Sequence, residues 1–350
     1  MNKTEQEDWK NFALHFPLYE ELRGKSIAVT GATGLLGSCM THCLLELNRE
    51  KDLHLQIIAI VRNLEKAKRL FRDAPIIYKV YDFSQQEALA LDEKADYLIH
   101  FASPTASQYF VTQPVETMLT GLYGTEQVLK LARELGMESL VYVSSLEVYG
   151  SVYDDAEPLT EDKQGYIDPM QARSSYPIAK RAAECLCHAY AKEYATPVKT
   201  ARLAQTFGAG VAKDDNRVFA QFARNVINGE DIVLHTTGEL SRCYCYTTDA
   251  IEAILYILLR GKDGEAYNVA NEESYISVID MARFLCKNFN SSIKPVIELK
   301  EGMGYSPMTK LRLSCKKIHQ LGWAPKHDLH AMFDKLIQSL GHDLHPEKNL

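Results

Sequence analysis

Tyr176 and Lys180 are the two residues whose types and spacing most directly suggest chemistry. They stand four apart in Tyr176-Pro-Ile-Ala-Lys180, so on a helix they share one face, and Pro177 suits a first helical turn. A phenol with an ordinary pKa of about 10 is a poor base at neutral pH, but a neighbouring ammonium and a bound nicotinamide cation would favour its phenolate. Of the 19 tyrosines, Tyr176 alone is followed by a lysine at the fourth position. Upstream, the apolar run Leu140-Val-Tyr-Val143 delivers Ser144 and Ser145 at what reads as the carboxyl end of a strand. Ligands bind at such ends in open α/β sheets, and a hydroxyl there can hold a reacting oxygen in line with the tyrosine.

Such a pair needs an oxidant or reductant, and the amino-terminal part of the chain offers a place for one. The run Lys25-Ser-Ile-Ala-Val-Thr30 reads as a buried strand, and Leu35 to Leu47 continues with helical spacing of apolar residues. Between them lies Thr30-Gly31-Ala-Thr33-Gly34-Leu35-Leu-Gly37. Gly31 permits the tight turn, Gly34 lets backbone N–H groups approach a pyrophosphate, and Gly37 lets the helix pack closely, with the helix amino terminus facing the phosphates. This strand–turn–helix context predicts a dinucleotide site that includes Thr33 and Leu35.

The second strand, Leu55 to Val61, ends in Arg62-Asn63, where an NAD site usually has an acid for the adenosine ribose. An arginine there suits the 2′-phosphate of NADP, so the expected cofactor is NAD(P), with NADP(H) favoured. Asp82, just after the third apolar run Ile76 to Val80, is expected at the adenine edge.

Apolar runs at Tyr97–Phe101, Leu140–Val143 and Val198–Leu203 continue the alternation with helical segments, notably Thr125 to Leu135 and Ala179 to Ala195. That alternation predicts an α/β, Rossmann-like, doubly wound parallel sheet. The expected division is an extension over 1–23, a dinucleotide-binding domain over 24–207 with 236–275 returning to it, and a smaller carboxyl-terminal substrate-binding domain over 208–235 and 276–350. A hydrophobic fraction of 46% and a charged fraction of 24% over 350 residues exclude collagen-like, disordered and membrane classes. A net charge of −7 argues against a nucleic-acid partner. Residues 1–23 contain no apolar core of a signal peptide and no stretch reaches a membrane span, which predicts a cytoplasmic protein without a membrane partner. The eight cysteines form no paired Cys-x-x-Cys set, so reduced thiols and no metal are expected.

Taken together, Thr30-Gly31-x-x-Gly34-x-x-Gly37, Ser145 five residues before Gly150, and Tyr176-x-x-x-Lys180 resemble the extended short-chain dehydrogenases/reductases of the nucleotide-sugar epimerase/dehydratase family, over roughly residues 24–285. The resemblance implies a nucleoside-diphosphate-sugar partner, a catalytic set of Ser145, Tyr176 and Lys180, and a homodimer. Within the family, His100-Phe-Ala102-Ser103-Pro, Glu147, Arg173 and Arg242 are similar to UDP-glucuronate decarboxylases. By that similarity Ala102 borders the cofactor, and Ser103, Arg173, Gln205, Arg217 and Arg242 border the substrate. Arg242 would meet its diphosphate or sugar, and Glu147 would either move a proton at the sugar ring or orient the Ser145 loop. Leu146 departs from the aspartate of dTDP-glucose-type dehydratases, and Gln205 replaces a frequent asparagine. The implied activity is modification of a nucleotide sugar through a 4-keto intermediate. Net reduction of a keto sugar by NADPH and non-catalytic dinucleotide sensing stand as alternatives.

Overall fold

The computed structural model describes residues 2–85, 87–105, 107–300 and 308–344. Residue 1 of the amino-terminal extension, and 301–307 and 345–350 of the carboxyl-terminal segment, lie outside the described residues. The chain begins with helix α1 (Lys3–His15). It continues through β1 (Ser26–Thr30), α2 (Leu35–Lys51), β2 (Gln56–Val61), α3 (Leu64–Phe71), β3 (Ile76–Val80), β4 (Tyr97–His100), α4 (Ser107–Thr112) and α5 (Pro114–Glu134). Next come β5 (Ser139–Ser145), α6 (Ser175–Tyr194), β6 (Val198–Leu203), β7 (Gln205–Phe207), α7 (Val218–Asn228), β8 (Ile232–Leu234), β9 (Ser241–Tyr246) and α8 (Thr247–Arg260). The remainder is β10 (Ala266–Val269), β11 (Asn271–Ser277), α9 (Val278–Asn288), β12 (Pro295–Ile297), β13 (Lys310–Leu311), α10 (Lys316–His319) and α11 (Leu329–Leu344).

Seven parallel strands form the main sheet in the order β10-β6-β5-β4-β1-β2-β3. Strands β1, β4 and β6 are buried at every position, as strands covered on both faces must be. The chain winds outward in both directions from β1, so a crevice opens between the carboxyl ends of β1 and β4, where open α/β sheets take their ligands. Two further small sheets, β11-β9-β13 with β7 beside β9, and β12-β8, lie among α7, α9 and α11 around a second apolar cluster that includes Phe207, Phe219, Met281 and Phe333. Leu35, at the start of α2, packs against that second cluster and ties the glycine turn to it.

The polar, acidic start of the chain is a helix whose inner face is buried. Trp9, Phe12, Ala13 and Phe16 join the main core, each large side chain contributing about 1.5–3 kcal/mol. Trp9 stacks on His42 of α2 with ring centroids 3.9 Å apart. Burial holds the His42 imidazole down at about 4, so it is neutral beneath the indole. Helix α5 begins at Pro114, eleven residues before the segment expected from spacing alone. Its two internal glycines allow close packing: a Cβ at Gly121 would lie 3.2 Å from that of Ala179 on α6, and one at Gly124 would lie 3.2 Å from the Phe83 ring. No helix among the described residues is long and apolar enough to cross a membrane.

Candidate active site

The turn after β1 is built so that its own atoms leave no room for side chains. Gly31 has φ +63, and a Cβ there would meet the backbone of Ala102 at 3.0 Å. A Cβ on Gly37 would come within 2.2 Å of the Gly31 carbonyl oxygen. Gly37 therefore seats helix α2 against the turn itself, where the sequence suggested packing against the strand. Gly34 is the helix N-cap and offers no side chain to the first turn, which also contains no acid. The N–H groups at this helix start remain available to a phosphate. Thr33 and Leu35 flank Gly34 at the mouth of the turn, both part-buried. This cradle fits a dinucleotide pyrophosphate.

Across the crevice, the chain leaving β4 is tied to β1 through Thr30. The Thr30 hydroxyl accepts from the Ala102 N–H at 3.0 Å and lies 2.8 Å from His100 Nδ1. Burial, reinforced by the charge of Lys180, holds the His100 imidazole down at about 3, so the ring is neutral. This network fixes Ala102 and Ser103 over the glycine turn. Composition gave no sign of it, although His100 stands within the motif that carries Ser103. Ser103 itself donates to the Pro104 carbonyl at 3.3 Å.

Strand β5 and helix α6 bring the catalytic candidates together. Ser145 ends β5, and its hydroxyl accepts from the Glu147 N–H at 3.2 Å. Its proximity to Tyr176 favours the phenolate. Tyr176 and Lys180 occupy the first turns of α6, and both are buried. Lys180 Nζ donates to the Val143 carbonyl at 2.8 Å and lies 5.7 Å from the centre of the Tyr176 ring. Burial lowers its pKa from 10.5 to about 8, with the Glu184 charge opposing. Burial and the charge of Glu147 push the Tyr176 phenol well above its ordinary value, while Ser145, Arg173 and Arg217 pull it down. The phenol is thus protonated in the resting protein, and the adjacent ammonium alone does not ionise it. Ser144 is buried with an unpartnered hydroxyl among the described residues.

Glu147 and Arg173 form a paired carboxylate and guanidinium beside the tyrosine, at 2.9 and 3.0 Å. Phe110 of α4 stacks on the Tyr176 ring with centroids 4.2 Å apart, and the Arg173 guanidinium lies 5.0 Å from the centre of the same phenylalanine. Gln205 and Arg242, on neighbouring strands β7 and β9, meet at 3.4 Å. Arg242 Nε is buried without a partner among the described residues, and such a donor is stabilised by an anionic ligand. Arg217 is held by Asp215 in a two-pronged ion pair. Its positive charge is among the influences that pull the Tyr176 phenol down.

Two of the cofactor candidates stand at the far edge of the crevice. Arg62 is exposed at the end of β2, and Asn63 is occupied in capping α3 through Lys66 N–H. Asp82 uses Oδ1 to accept from the Ser84 N–H and hydroxyl, at 2.9 and 2.8 Å, so that oxygen shapes the turn after β3. Arg202, which opens the Arg-Leu-Ala-Gln205 segment, is occupied on the outer side of the sheet. It grips Glu184 at 2.7–3.1 Å and donates to the Tyr149 hydroxyl and the Glu161 carbonyl. Among the described residues, no group of three or more metal-binding side chains is present.

Comparison with known proteins bears on this arrangement. The family model described as "NAD dependent epimerase/dehydratase family" matches residues 27–270. UDP-glucuronic acid decarboxylase 1 of Danio rerio is 26% identical over 326 residues, covering 93% of this chain and 75% of the relative. The dTDP-D-glucose 4,6-dehydratase of Homo sapiens is 29% identical over 341 residues, covering 93% of each. Among solved structures, an epimerase from Methanothermobacter thermautotrophicus superimposes with a TM-score of 0.78 at 22% identity, covering 95% of this chain and 98% of that one. The UDP-glucose 4-epimerase of Thermotoga maritima, solved with UDP-glucose, gives 0.76 at 20% identity, covering 91% and 99%. These structural likenesses are likenesses of fold.

Proposed function

The chain belongs to the NAD-dependent epimerase/dehydratase family, and from that premise we propose that it oxidises a nucleoside-diphosphate sugar at C4 and rearranges the resulting 4-keto sugar. The observation that carries this reading is the meeting of Ser145, Tyr176 and Lys180 at the carboxyl end of β5, across from the glycine turn. Ser145 holds the C4 hydroxyl and Tyr176 takes its proton. Lys180, fixed by the Val143 carbonyl, supplies a positive charge beside the tyrosine. A bound oxidised nicotinamide supplies the hydride acceptor and a further positive charge that favours the phenolate. Arg242, with its unpartnered Nε, and Arg217 are suited to hold the diphosphate.

Decarboxylation is the first specific reading. A ketone at C4 lies beta to a C5 carboxylate, so loss of carbon dioxide needs little beyond C4 oxidation, and Glu147 and Arg173 stand where a proton must be managed. Elimination of water from C5–C6 calls for a donor to the leaving hydroxyl, and Leu146 is buried and apolar where dehydratases have an acid. The exposed Arg62 favours NADP over NAD, and by the same token supports a second reading, net reduction of a nucleotide keto sugar by NADPH. Two copies are proposed to pair through the exposed stripe Val111, Val115, Met118, Leu119 and Tyr123 on α4 and α5.

The test is to denature the purified protein, identify any released dinucleotide by mass spectrometry, and incubate the native protein with UDP-glucuronate, dTDP-glucose and UDP-glucose. The decarboxylase reading expects a UDP-pentose and carbon dioxide without net NAD(P)H. Stoichiometric consumption of added NADPH establishes the reductase reading instead. A Tyr176→Phe variant is expected to lose about 10²–10⁴ in kcat, and full turnover by it would remove the tyrosine from the chemistry.

A further inference from the structure

The family match begins at residue 27, yet the helix before it is tied to the backbone at 209–210 through two sets of hydrogen bonds. Asp8 of α1 is 5% exposed. One of its carboxylate oxygens accepts from Lys335 Nζ of α11 at 2.6 Å, and the other accepts from the Tyr246 hydroxyl at the end of β9. That hydroxyl in turn accepts from the Ala209 N–H at 3.3 Å. One residue on, the Gly210 N–H donates to the Ser339 hydroxyl at 3.2 Å, and Asn2 holds both the hydroxyl and the carbonyl of Ser339, at 3.0 and 2.8 Å. The chain at 208–210 leaves no slack against these partners. A Cβ on Gly208 would lie 2.5 Å from the Tyr246 ring, and Gly210 holds φ +86, which is strained for any residue with a side chain.

This anchored point is the root of a loop with functional ends. Gln205, three residues before Gly208, contacts Arg242. Beyond Gly210 the chain passes through buried Val211 to Asp215 and Arg217, whose charge reaches Tyr176. We propose that Asp8 is a positioning residue: through Tyr246 it registers the 205–217 segment so that Gln205 and Arg217 face the substrate. The inference rests on the reading of those residues as substrate-facing. Helix α1 thereby belongs to the binding site without touching the ligand.

Two independent measurements on the full-length protein test it. The first is hydrogen exchange of the backbone amides with no substrate present. Asp8→Asn and Tyr246→Phe are each expected to speed exchange at Ala209 and Gly210 about tenfold, within the range for coupling carried through packed contacts, while the 30–37 turn keeps its protection. Unchanged exchange at 209–210, or an equal loss of protection throughout the protein, overturns the proposal. The second is kinetic. Both variants are expected to raise KM for the nucleotide sugar about tenfold with kcat within about twofold, and the double variant is expected to do no more than either alone. An unchanged KM, or effects that add, overturns the positioning role and leaves α1 a stabilising strap. If the unaltered protein turns over no nucleotide sugar, the proposed function fails, while the exchange measurement still decides whether Asp8 holds the loop.

Discussion

Replacing Lys180 with methionine is expected to stabilise the protein at neutral pH while abolishing turnover. The ammonium is buried, and its pKa falls from 10.5 to about 8 because burial penalises the charge. A displacement of that size corresponds to about 3 kcal/mol of native-state cost when the group is fully protonated. Methionine fills a similar volume but abandons the Val143 carbonyl, now bonded at 2.8 Å. An unpaired buried acceptor costs about 1–2 kcal/mol. The net gain at pH 7 is therefore about 1–2 kcal/mol. The sign of the pH dependence follows from the lowered value. Between about pH 8 and 10.5 the unfolded chain holds a proton at this side chain that the native chain has released, so stability of the parent protein rises with pH across that window. The advantage of the variant is full below it and shrinks by about 2.5 kcal/mol on going from pH 7 to pH 10, leaving the variant no more stable than the parent. Urea unfolding of both proteins at the two pH values, without added dinucleotide, measures this change directly. The unpaired carbonyl contributes equally at both values and drops out of the difference. A stability difference that is the same at pH 7 and pH 10 would refute the reasoning.

Three other outcomes follow from the geometry. Gly37→Ala is expected to cost at least about 2 kcal/mol and to strip the protein of dinucleotide, because the new methyl would lie 2.2 Å from the Gly31 carbonyl; an unaltered thermal midpoint would show that the turn yields. Arg62→Asp is expected to move the cofactor preference from NADP toward NAD by at least about tenfold, measured as the ratio of dissociation constants, since it removes the fork for a 2′-phosphate and adds an acceptor for ribose hydroxyls. Leu119→Glu places a charge in the exposed apolar stripe of α5 and is expected to convert a dimer to monomers in analytical ultracentrifugation, with the monomer retaining its helical content.

The sheet was legible in the sequence because its strands are short apolar runs, fully buried in β1, β4 and β6, and the run at Ile76–Val80 coincides with the part-exposed edge strand β3 to the residue. The first eleven residues of α5 were not, because Gly121 and Gly124 weaken the helical pattern locally and their reason lies in other elements, Ala179 and Phe83. Helix α1 was hidden in the same way: its acids and aromatics make sense only once α2, α8 and α11 are in place around it. In the cleft, residue type and spacing indicated that Tyr176, Lys180 and Ser145 belong together. Spacing cannot convey burial, and burial is what raises the tyrosine and lowers the lysine. The ion pair that holds Arg217 to Asp215 is likewise a matter of loop geometry that spacing does not convey.

The hydrogen bonds from Asn2 to Ser339 span 337 positions and close the chain on itself. During synthesis at about 5–20 residues per second, the first helix leaves the ribosome tens of seconds before α11, which carries Ser339, exists. Edge strand β10 likewise arrives more than sixty residues after β6, the strand it borders. A nascent chain stopped at the end of β6 therefore has α2 beside α1 but lacks α8 and α11, and it leaves an open sheet edge. Such a chain depends on protection against aggregation until its last helix has been made.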